Sequence, residues 1–198
     1  LPIDWLPPAG RLLFFYDVLD QPWGYDPTHA AGWAVRYVPA GDGTATTVQP
    51  LGIEPLARQA IRFVRVDTFP SETRPGMDAL QLTDAEWDAV FDRDDAQYQG
   101  EPEHRVGGFP SVIQNDDMEL ESQLASSGID CGDAKAYRHP RIAEMQAQAR
   151  DWRLLLQFDT DDDLDVMWGD AGRLYFWVRE RDARAGRFDQ AWVILQCT

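Results

Sequence analysis

An internal repeat of strand, loop and strand is the feature that most constrains how this chain can fold. Residues 11–17 align without gaps on residues 153–159, and the two segments share an Arg, two Leu and an Asp at matching positions. Each segment is followed by a Trp-Gly pair and then by an apolar run that begins with Gly: Trp23-Gly24 and residues 32–38 in the first copy, Trp168-Gly169 and residues 172–178 in the second. Short runs rich in aromatic and β-branched side chains, separated by a Gly-containing loop, are typical of β-hairpins. The repeat therefore predicts two related hairpin units.

Further strands and a first helix are indicated outside the repeat. Residues 61–67 form an apolar run that Arg interrupts, and residues 191–197 are apolar enough to predict a central strand of a sheet. Thr83 and Glu86 have the spacing of a capping box, in which a hydroxyl and a carboxylate bind the free amides of a first helical turn. Aromatic and apolar residues then recur at helical spacing, so a helix is predicted after Thr83.

Two more helices are predicted before the second hairpin unit. Asp116 or Asp117 can cap a helix that ends near Gly128, and Pro140 suits the first turn of another. The fold class predicted from this order is α+β, with internally duplicated β-hairpin units that form mainly antiparallel sheets and with helices inserted between the two copies.

Acidic residues outnumber basic ones nearly two to one. The 198 residues include 34 Asp and Glu against 18 Lys and Arg, a formal net charge of −16. Nucleic acids and anionic membranes attract clustered Lys and Arg, so neither is predicted as a partner. No run approaches the ~18 apolar residues of a membrane span. Cys131 and Cys197 stand apart without a disulfide framework, which favours a reducing compartment, and we expect a cytoplasmic protein.

Several blocks spread along the chain share one family pattern. They are residues 6–16, 104–116, 152–159, 167–176 and 194–197. In this order they resemble the YwqG-like family, a bacterial domain of unknown function, which implies a single domain over residues 1–198 with an internal pseudo-repeat at about 6–70 and 104–198. The family pattern has a Gly-Gly-x-Pro segment in each repeat, and here only residues 107–110 have it. We therefore expect the chain to begin inside the first repeat. The resemblance implies no catalytic residue.

An acidic loop after the first strand of the second copy has the spacing of a calcium loop. Asp159, Asp161, Asp163 and Asp170 stand at positions 1, 3, 5 and 12 of that pattern. Leu164 occupies position 6, where the turn needs Gly, and the flanking segments predict strands where a calcium loop has helices. We interpret the run as a solvated hairpin loop, predict no metal and no cofactor, and keep the four Asp as an alternative calcium site.

The Trp-Gly loops contain the residues best suited to binding a ligand. Trp23 and Trp168 occupy corresponding loops, where a large ring lies near the surface unless it folds inward. Each ring could instead cover the open end of its own hairpin, and the sequence leaves both interpretations open. Asp170, Gln114 and Arg105 complete the predicted ligand-binding set, in a groove between the two halves.

Three classes of function fit these features. Duplicated aromatic loops, together with missing hydrolase and nucleotide-binding motifs, favour a non-enzymatic binding or regulatory module whose partner is an unidentified protein or small molecule. The acidic face of residues 67–198 instead suits a protein that docks a basic protein partner, as an inhibitor or immunity protein does. An enzyme of unfamiliar type would use clustered carboxylates, and this alternative predicts a cleft carboxylate with a strongly raised pKa.

Overall fold

The helices and strands of the protein have the order that the repeat predicts. A computed structural model describes residues 3–41, 59–98 and 100–198. Its strands are β1 (Arg11–Tyr16), β2 (Trp33–Val38), β3 (Trp152–Asp159), β4 (Arg173–Arg179) and β5 (Trp192–Gln196). Its α-helices are α1 (Asp84–Tyr98), α2 (Met118–Ser126), α3 (Ile142–Ala149) and α4 (Glu180–Arg184). The predicted α+β class, with antiparallel hairpins before and after a helical middle, is confirmed.

The first copy of the repeat forms a two-stranded antiparallel sheet. Strands β1 and β2 pair from Arg11 opposite Val38 to Tyr16 opposite Trp33. The chain turns at Asp17, whose Oδ1 accepts a hydrogen bond from the backbone N of Leu19 at 3.0 Å. An Asp that binds the amide two residues on favours a turn, which explains why the repeat has Asp at the end of its first strand.

The second copy supplies β3 and β4 of a three-stranded antiparallel sheet in the order β3-β4-β5, in which β4 is the central strand. Strand β3 pairs with β4 from Trp152 opposite Arg179 onward, and a bulge shifts the register between Leu154 and Leu156. Strand β5 was expected to be central because it is so apolar, and this was wrong: it lies at the edge of the sheet. Its residues are all buried because both faces of the strand are covered.

The two faces of the three-stranded sheet pack against different layers. Side chains alternate along β4 and β5, so successive residues enter opposite cores. Leu174, Phe176, Val178, Val193 and Leu195 pack with the first hairpin, and Tyr175, Trp177, Trp192 and Ile194 pack with α2 and α3. Each large apolar side chain buried in this way contributes about 1.5–3 kcal/mol, so the three layers share one stabilising centre in the second copy.

Helix α2 ends as the sequence predicts but begins differently. Its end is a Schellman motif: Gly128 has φ +85°, and the backbone N of Ile129 donates to Leu124 O at 3.0 Å. Neither predicted Asp cap forms at its start. Asp117 occupies the N-cap position without a side-chain hydrogen bond, and Asp116 is paired with the guanidinium of Arg74 at 2.9 Å. A nearby guanidinium therefore replaces the helix amides as the partner of this carboxylate.

At the start of α1 the predicted capping box forms in part. Glu86 Oε2 accepts from both the backbone N and the hydroxyl of Thr83, each at 2.8 Å. The strand predicted at residues 61–67 is wrong, since these residues are described without a β-strand and Ile61, Phe63 and Val64 are exposed. A strand is stable when it has a partner, and no described strand pairs with this segment. Residues 42–58 of the predicted first repeat lie outside the described residues.

None of the helices in the described ranges combines the length and the apolar character that a membrane span requires.

Candidate functional site

An acidic cleft opens between the end of α1 and the turn that follows β3. Its volume is about 670 Å³. Tyr98 provides an aromatic wall. Among the residues that the structure describes, one guanidinium, that of Arg173, lines the cleft together with six carboxylates: Asp95, Glu101, Glu103, Asp159, Asp162 and Asp163. The carboxylates fall into two groups, which differ in burial and in partners.

The floor of the cleft is a charge-balanced network. Arg173 Nε donates to Asp159 Oδ1 at 2.9 Å, and its Nη2 lies 3.2 Å from Glu103 Oε1. Arg105 Nη2 donates to the other oxygen of Glu103 at 2.8 Å. All four side chains are largely buried, and buried charges are tolerated when they are paired and hydrogen-bonded. Two guanidinium groups thus neutralise two carboxylates, and the floor is rigid.

The rim of the cleft has no such compensation. Asp95, Glu101, Asp162 and Asp163 are exposed, and none of them forms an ion pair with the part of the chain that the structure describes. The backbone positions of Asp162 and Asp163 are set by a 3-10 turn at Asp162–Leu164, where Asp161 Oδ1 accepts from the backbone N of Asp163 at 2.9 Å. Four negative charges around one opening produce a potential that attracts cations.

Two carboxylates of the alternative calcium site have protein partners instead. Asp159 binds Arg173, and Asp161 Oδ2 lies 3.0 Å from His104 Nε2. In the described ranges, no group of three or more His, Cys, Asp or Glu is arranged to hold a metal ion. The carboxylates at positions 1 and 3 are therefore occupied by ion pairing and turn capping, and Asp163 at position 5 belongs to the exposed rim.

Two buried glutamines fix the segment 103–115 to the sheet. Gln157 of β3 donates from Nε2 to Glu103 O at 2.7 Å and accepts at Oε1 from the backbone N of Ser111 at 2.8 Å. Gln196 of β5 accepts at Oε1 from the backbone N of Gln114 at 3.1 Å. Neither glutamine is predicted from the sequence as a positioning residue, although a lone Gln inside an apolar strand is a signal for a buried polar contact.

Arg105 lies beneath the acidic cleft and not in a groove beside the Trp-Gly loops. Its guanidinium donates from Nη1 to Phe109 O at 2.9 Å and lies 5.1 Å from the ring centroid of Tyr98. The side chain is buried. It therefore links the Gly-Gly-Phe-Pro turn to the cleft floor. Because the side chain is buried, it does not have the surface position that the sequence predicts for a ligand contact.

The two tryptophans of the repeat have opposite environments. Trp168 is 4% exposed, and its Nε1 donates to Asp159 O at 3.1 Å. Its ring meets that of Tyr16 edge-on at 5.6 Å. Trp23 is 40% exposed. Trp168 is therefore buried between its own hairpin and the first hairpin, and Trp23 keeps an accessible ring.

Three of the predicted residues meet around the end of β5. Gln114 Nε2 donates to the carbonyl oxygen of residue 197 at 2.9 Å, and its Oε1 accepts from Tyr25 OH at 3.4 Å. The ring of Tyr25 lies 6.4 Å from that of Trp23. Asp170 accepts at its backbone oxygen from the amide of residue 198 at 3.2 Å. Trp23 and Gln114 are thus linked through Tyr25, Asp170 contacts the residue after the one that Gln114 binds, and none of the three lines the acidic cleft or the cavity beside Trp33.

A second cavity of about 270 Å³ lies between the first hairpin and the three-stranded sheet. Trp33 of β2 and Trp192 of β5 line it, and their rings meet edge-on at 4.9 Å. Arg36 of β2 and Arg179 of β4 line it as well. An aromatic groove between the halves is the arrangement that the repeat predicts, but the tryptophans come from strand ends and not from the Trp-Gly loops.

Two buried carboxyl groups have raised pKa values, and both lie outside these cavities. Burial raises the pKa of Asp116 to about 6 although Arg74 acts in the opposite direction, and burial raises the pKa of Glu121 to about 7. Burial also raises the pKa of the nearby Cys131 thiol to about 12, which keeps the thiol protonated at neutral pH. These shifts follow from packing beneath α2, and they do not provide the cleft carboxylate that a carboxylate enzyme requires.

Together, the fold and the clefts define an α+β domain with two antiparallel sheets and a helical layer, in which an acidic cleft lies between the end of α1 and the three-stranded sheet. The chain belongs to the family described as "Domain of unknown function (DUF1963)", whose model matches residues 2–197. The predicted membership of an uncharacterised domain family is thereby confirmed, while the match does not confirm the name YwqG-like. A search of curated proteins found no match.

Proposed function

We propose that this domain is a non-enzymatic binding module that docks a basic protein partner, and that the acidic cleft receives Lys or Arg side chains of that partner. The observation that carries the proposal is the unpaired rim: Asp95, Glu101, Asp162 and Asp163 are exposed around one opening and have no cation among the described residues. The proposal joins the binding-module prediction to the acidic-face prediction, and it moves the site from the Trp-Gly loops to the cleft.

The structure of the floor supports a role in binding. Because Glu103 and Asp159 are already neutralised by Arg105 and Arg173, the floor holds its shape, and ligand charge is recognised at the rim. A preformed site loses less entropy when its ligand binds. The ring of Tyr98 on the wall adds a surface that a guanidinium or ammonium group can approach.

The net charge of −16 supports fast association with such a partner. Opposite charges steer encounter and raise the association rate, and added salt screens the effect within about 10 Å at 0.1 M. An inhibitor or immunity protein that covers a basic surface has these properties. The proposal includes a cytoplasmic location, which the free, buried Cys131 and Cys197 support.

Binding of a hexa-arginine peptide to charge-neutralised variants tests the proposal. The rim variant carries Asp95→Asn, Glu101→Gln, Asp162→Asn and Asp163→Asn. Four exposed substituted positions, each contributing a few tenths to 1 kcal/mol, predict a loss of affinity of about tenfold or more at low salt. Calorimetric titration at low and high salt measures the loss.

A matched control has the same net charge with its changes outside the cleft. It carries Asp20→Asn, Glu72→Gln, Asp78→Asn and Asp88→Asn, four substitutions at exposed positions. This control is expected to keep most of the affinity of the unmodified protein. Equal losses in the two variants would show that the peptide responds to net charge alone, and the cleft would then have no specific role.

A further inference from the structure

The groove between the first hairpin and the three-stranded sheet is a second site, independent of the acidic cleft. Residues from β2, β4, β5 and the end of α2 line it, so both halves of the repeat contribute to it. Its volume of about 270 Å³ is below the range of about 300–1,000 Å³ that drug-sized ligands occupy, so it suits a small molecule.

The aromatic walls of the groove are held in fixed positions. Trp33 donates from Nε1 to Ala191 O at 3.1 Å, and Trp192 donates from Nε1 to Gly24 O at 2.8 Å. With their polar edges occupied by protein acceptors, the rings offer apolar surface to the groove. A planar apolar group packs favourably against such rings.

A guanidinium group lies among these aromatic walls. Arg179 is 12% exposed at its side chain and lies 4.2 Å from the ring centroid of Trp152. Its Nη2 donates to Ser126 Oγ at 2.8 Å and to Gln123 Oε1 at 3.1 Å. These contacts fix the plane of the guanidinium, as recognition of a carboxylate requires.

Arg179 forms one ion pair with the described residues, and it is a long one. Its nearest carboxylate, Asp182, lies 3.8 Å from Nη1, beyond hydrogen-bond distance, and Asp182 is hydrogen-bonded to Arg187 instead. No hydrogen bond from Arg179 Nη1 to the described residues is present. Burial lowers the pKa of this guanidinium, because the charged form loses solvent there.

Arg36 gives the groove an excess of positive charge. It is exposed on β2, lines the groove and forms no ion pair within the described ranges. Among the described residues that line the groove, Asp189 is the one carboxylate, against the two guanidinium groups of Arg36 and Arg179. The chain has 34 acidic and 18 basic residues, so a groove lined by residues taken at random would have more negative than positive charges.

We infer that this groove binds a small planar carboxylate, with the carboxylate between Arg36 and Arg179 and the planar group against Trp33 and Trp192. The two guanidinium groups select a negative charge, and the tryptophans select a flat apolar body. This site goes beyond the proposed docking of a basic partner, since its ligand has the opposite charge and lies in a different part of the fold.

Titration with benzoate, monitored by the indole N–H resonances in ¹H–¹⁵N NMR spectra, tests the inference. Benzamide has the same shape without the charge, and inorganic phosphate has charge without the ring. Benzoate is expected to shift the Trp33 and Trp192 resonances saturably at concentrations up to about 10 mM, with a Kd near the millimolar range. Benzamide and phosphate are expected to shift them at least about tenfold less at equal concentration.

The variant Arg36→Gln leaves the core unchanged and is compared with Arg138→Gln, which alters an exposed Arg outside the groove. Arg36→Gln is expected to weaken benzoate binding by about tenfold, and Arg138→Gln by less than twofold, because charge-assisted hydrogen bonds are the stronger kind. The inference is overturned if benzoate and benzamide act alike, if phosphate matches benzoate, if both variants lose binding equally, or if no saturable shift occurs.

Discussion

The two hairpins share a sequence pattern and differ in burial. Strand β3 has buried residues at most positions, whereas the corresponding strand β1 has exposed or half-buried ones throughout. Leu155 is buried and its counterpart Leu13 is half-buried. Local sequence therefore specifies the hairpin in both copies, while the covering layers decide how much each hairpin contributes to stability.

The two hairpins differ in burial because they have different numbers of neighbouring elements. The second hairpin gains β5 as a third strand, with the first hairpin on one face and α2 and α3 on the other. Among the described residues, the first hairpin packs through the face that holds Phe14, whose ring centroid lies 5.1 Å from that of Phe176. Phe15, on its other face, is exposed.

The largest expected difference between the copies is at their tryptophans. Trp168→Ala removes a buried ring together with its contacts to Tyr16 and Phe158, and should lower the free energy of unfolding by about 3–5 kcal/mol. Trp23→Ala removes an accessible ring and should cost about 1 kcal/mol or less. Urea unfolding of both variants measures the difference. Similar losses would mean that the two loops are packed alike.

Matched leucines test the same comparison within the strands. Leu155→Ala should lower the free energy of unfolding by about 3 kcal/mol, because the site is enclosed and leaves a cavity. Leu13→Ala should cost about 1 kcal/mol or less, since water reaches the half-buried site. Denaturant midpoints for the pair check this. A larger loss from Leu13→Ala would reverse the assigned order of the hairpins.

Gln157 and Phe15 occupy matching positions of the two copies, but only Gln157 holds the segment 103–111 against its strand among the described residues. Gln157→Leu leaves Ser111 N and Glu103 O without their partner and should cost about 2–3 kcal/mol. Phe15→Gln changes an exposed ring and should stay within about 0.5 kcal/mol. Hydrogen exchange of the Ser111 amide should rise in Gln157→Leu. Unchanged exchange there would contradict the supporting role of Gln157.

The stability of the layer that packs on the second hairpin should depend on pH, because helix α2 carries a buried carboxyl group. Glu121 of α2 is 3% exposed, with Oε1 3.3 Å from Asn115 Nδ2 and 3.4 Å from Tyr137 OH. Burial, together with the nearby Asp117 and Glu119, raises its pKa from 4.5 to about 7 against the opposing effect of the hydrogen bonds from Asn115 and Tyr137. The protonated form is thus favoured in the folded state. This stabilising contribution is complete below pH 4.5 and is lost as the pH rises through about 7.

Between pH 5 and pH 8 the protein should therefore lose about 2 kcal/mol of stability through this group. Glu121→Gln cannot ionise and should show a smaller loss over the same range. Urea unfolding at the two pH values measures both proteins. An equal loss in the variant would assign the pH dependence to other groups, among which Asp116 also has a pKa raised by burial.

Much of the fold could be predicted because its signals are local. Hairpin periodicity in the repeat, the glycine at position 128 and the Thr83–Glu86 spacing all act within a few residues. Two predictions about strands failed, the central position of β5 and the strand at 61–67. Both depend on which other strands are available as partners, and those partners lie far away in the sequence. Apolar character reports burial and does not report the order of strands in a sheet.

The sites were less predictable because they depend on pairings across the chain. The sequence pattern identified an acidic loop, but it could not show that Asp159 is neutralised by Arg173 while Asp162 and Asp163 are left unpaired. Likewise, the duplicated tryptophans suggested an aromatic groove between the halves. Trp33 and Trp192 form it, since their position at strand ends brings them to the contact between the two sheets.

Single backbone bridges cover both outer edges of the three-stranded sheet. On the β5 side the backbone N of Leu195 donates to Trp23 O at 3.0 Å, and Gly24 approaches so closely that a Cβ there would lie 1.8 Å from Val193 O. On the β3 side Arg105 and Gln157 exchange two backbone hydrogen bonds, at 3.1 and 2.8 Å. Open strand edges are templates for edge-to-edge aggregation. These two short contacts therefore protect a strongly apolar sheet from polymerising, and the glycine at position 24 is needed for that protection.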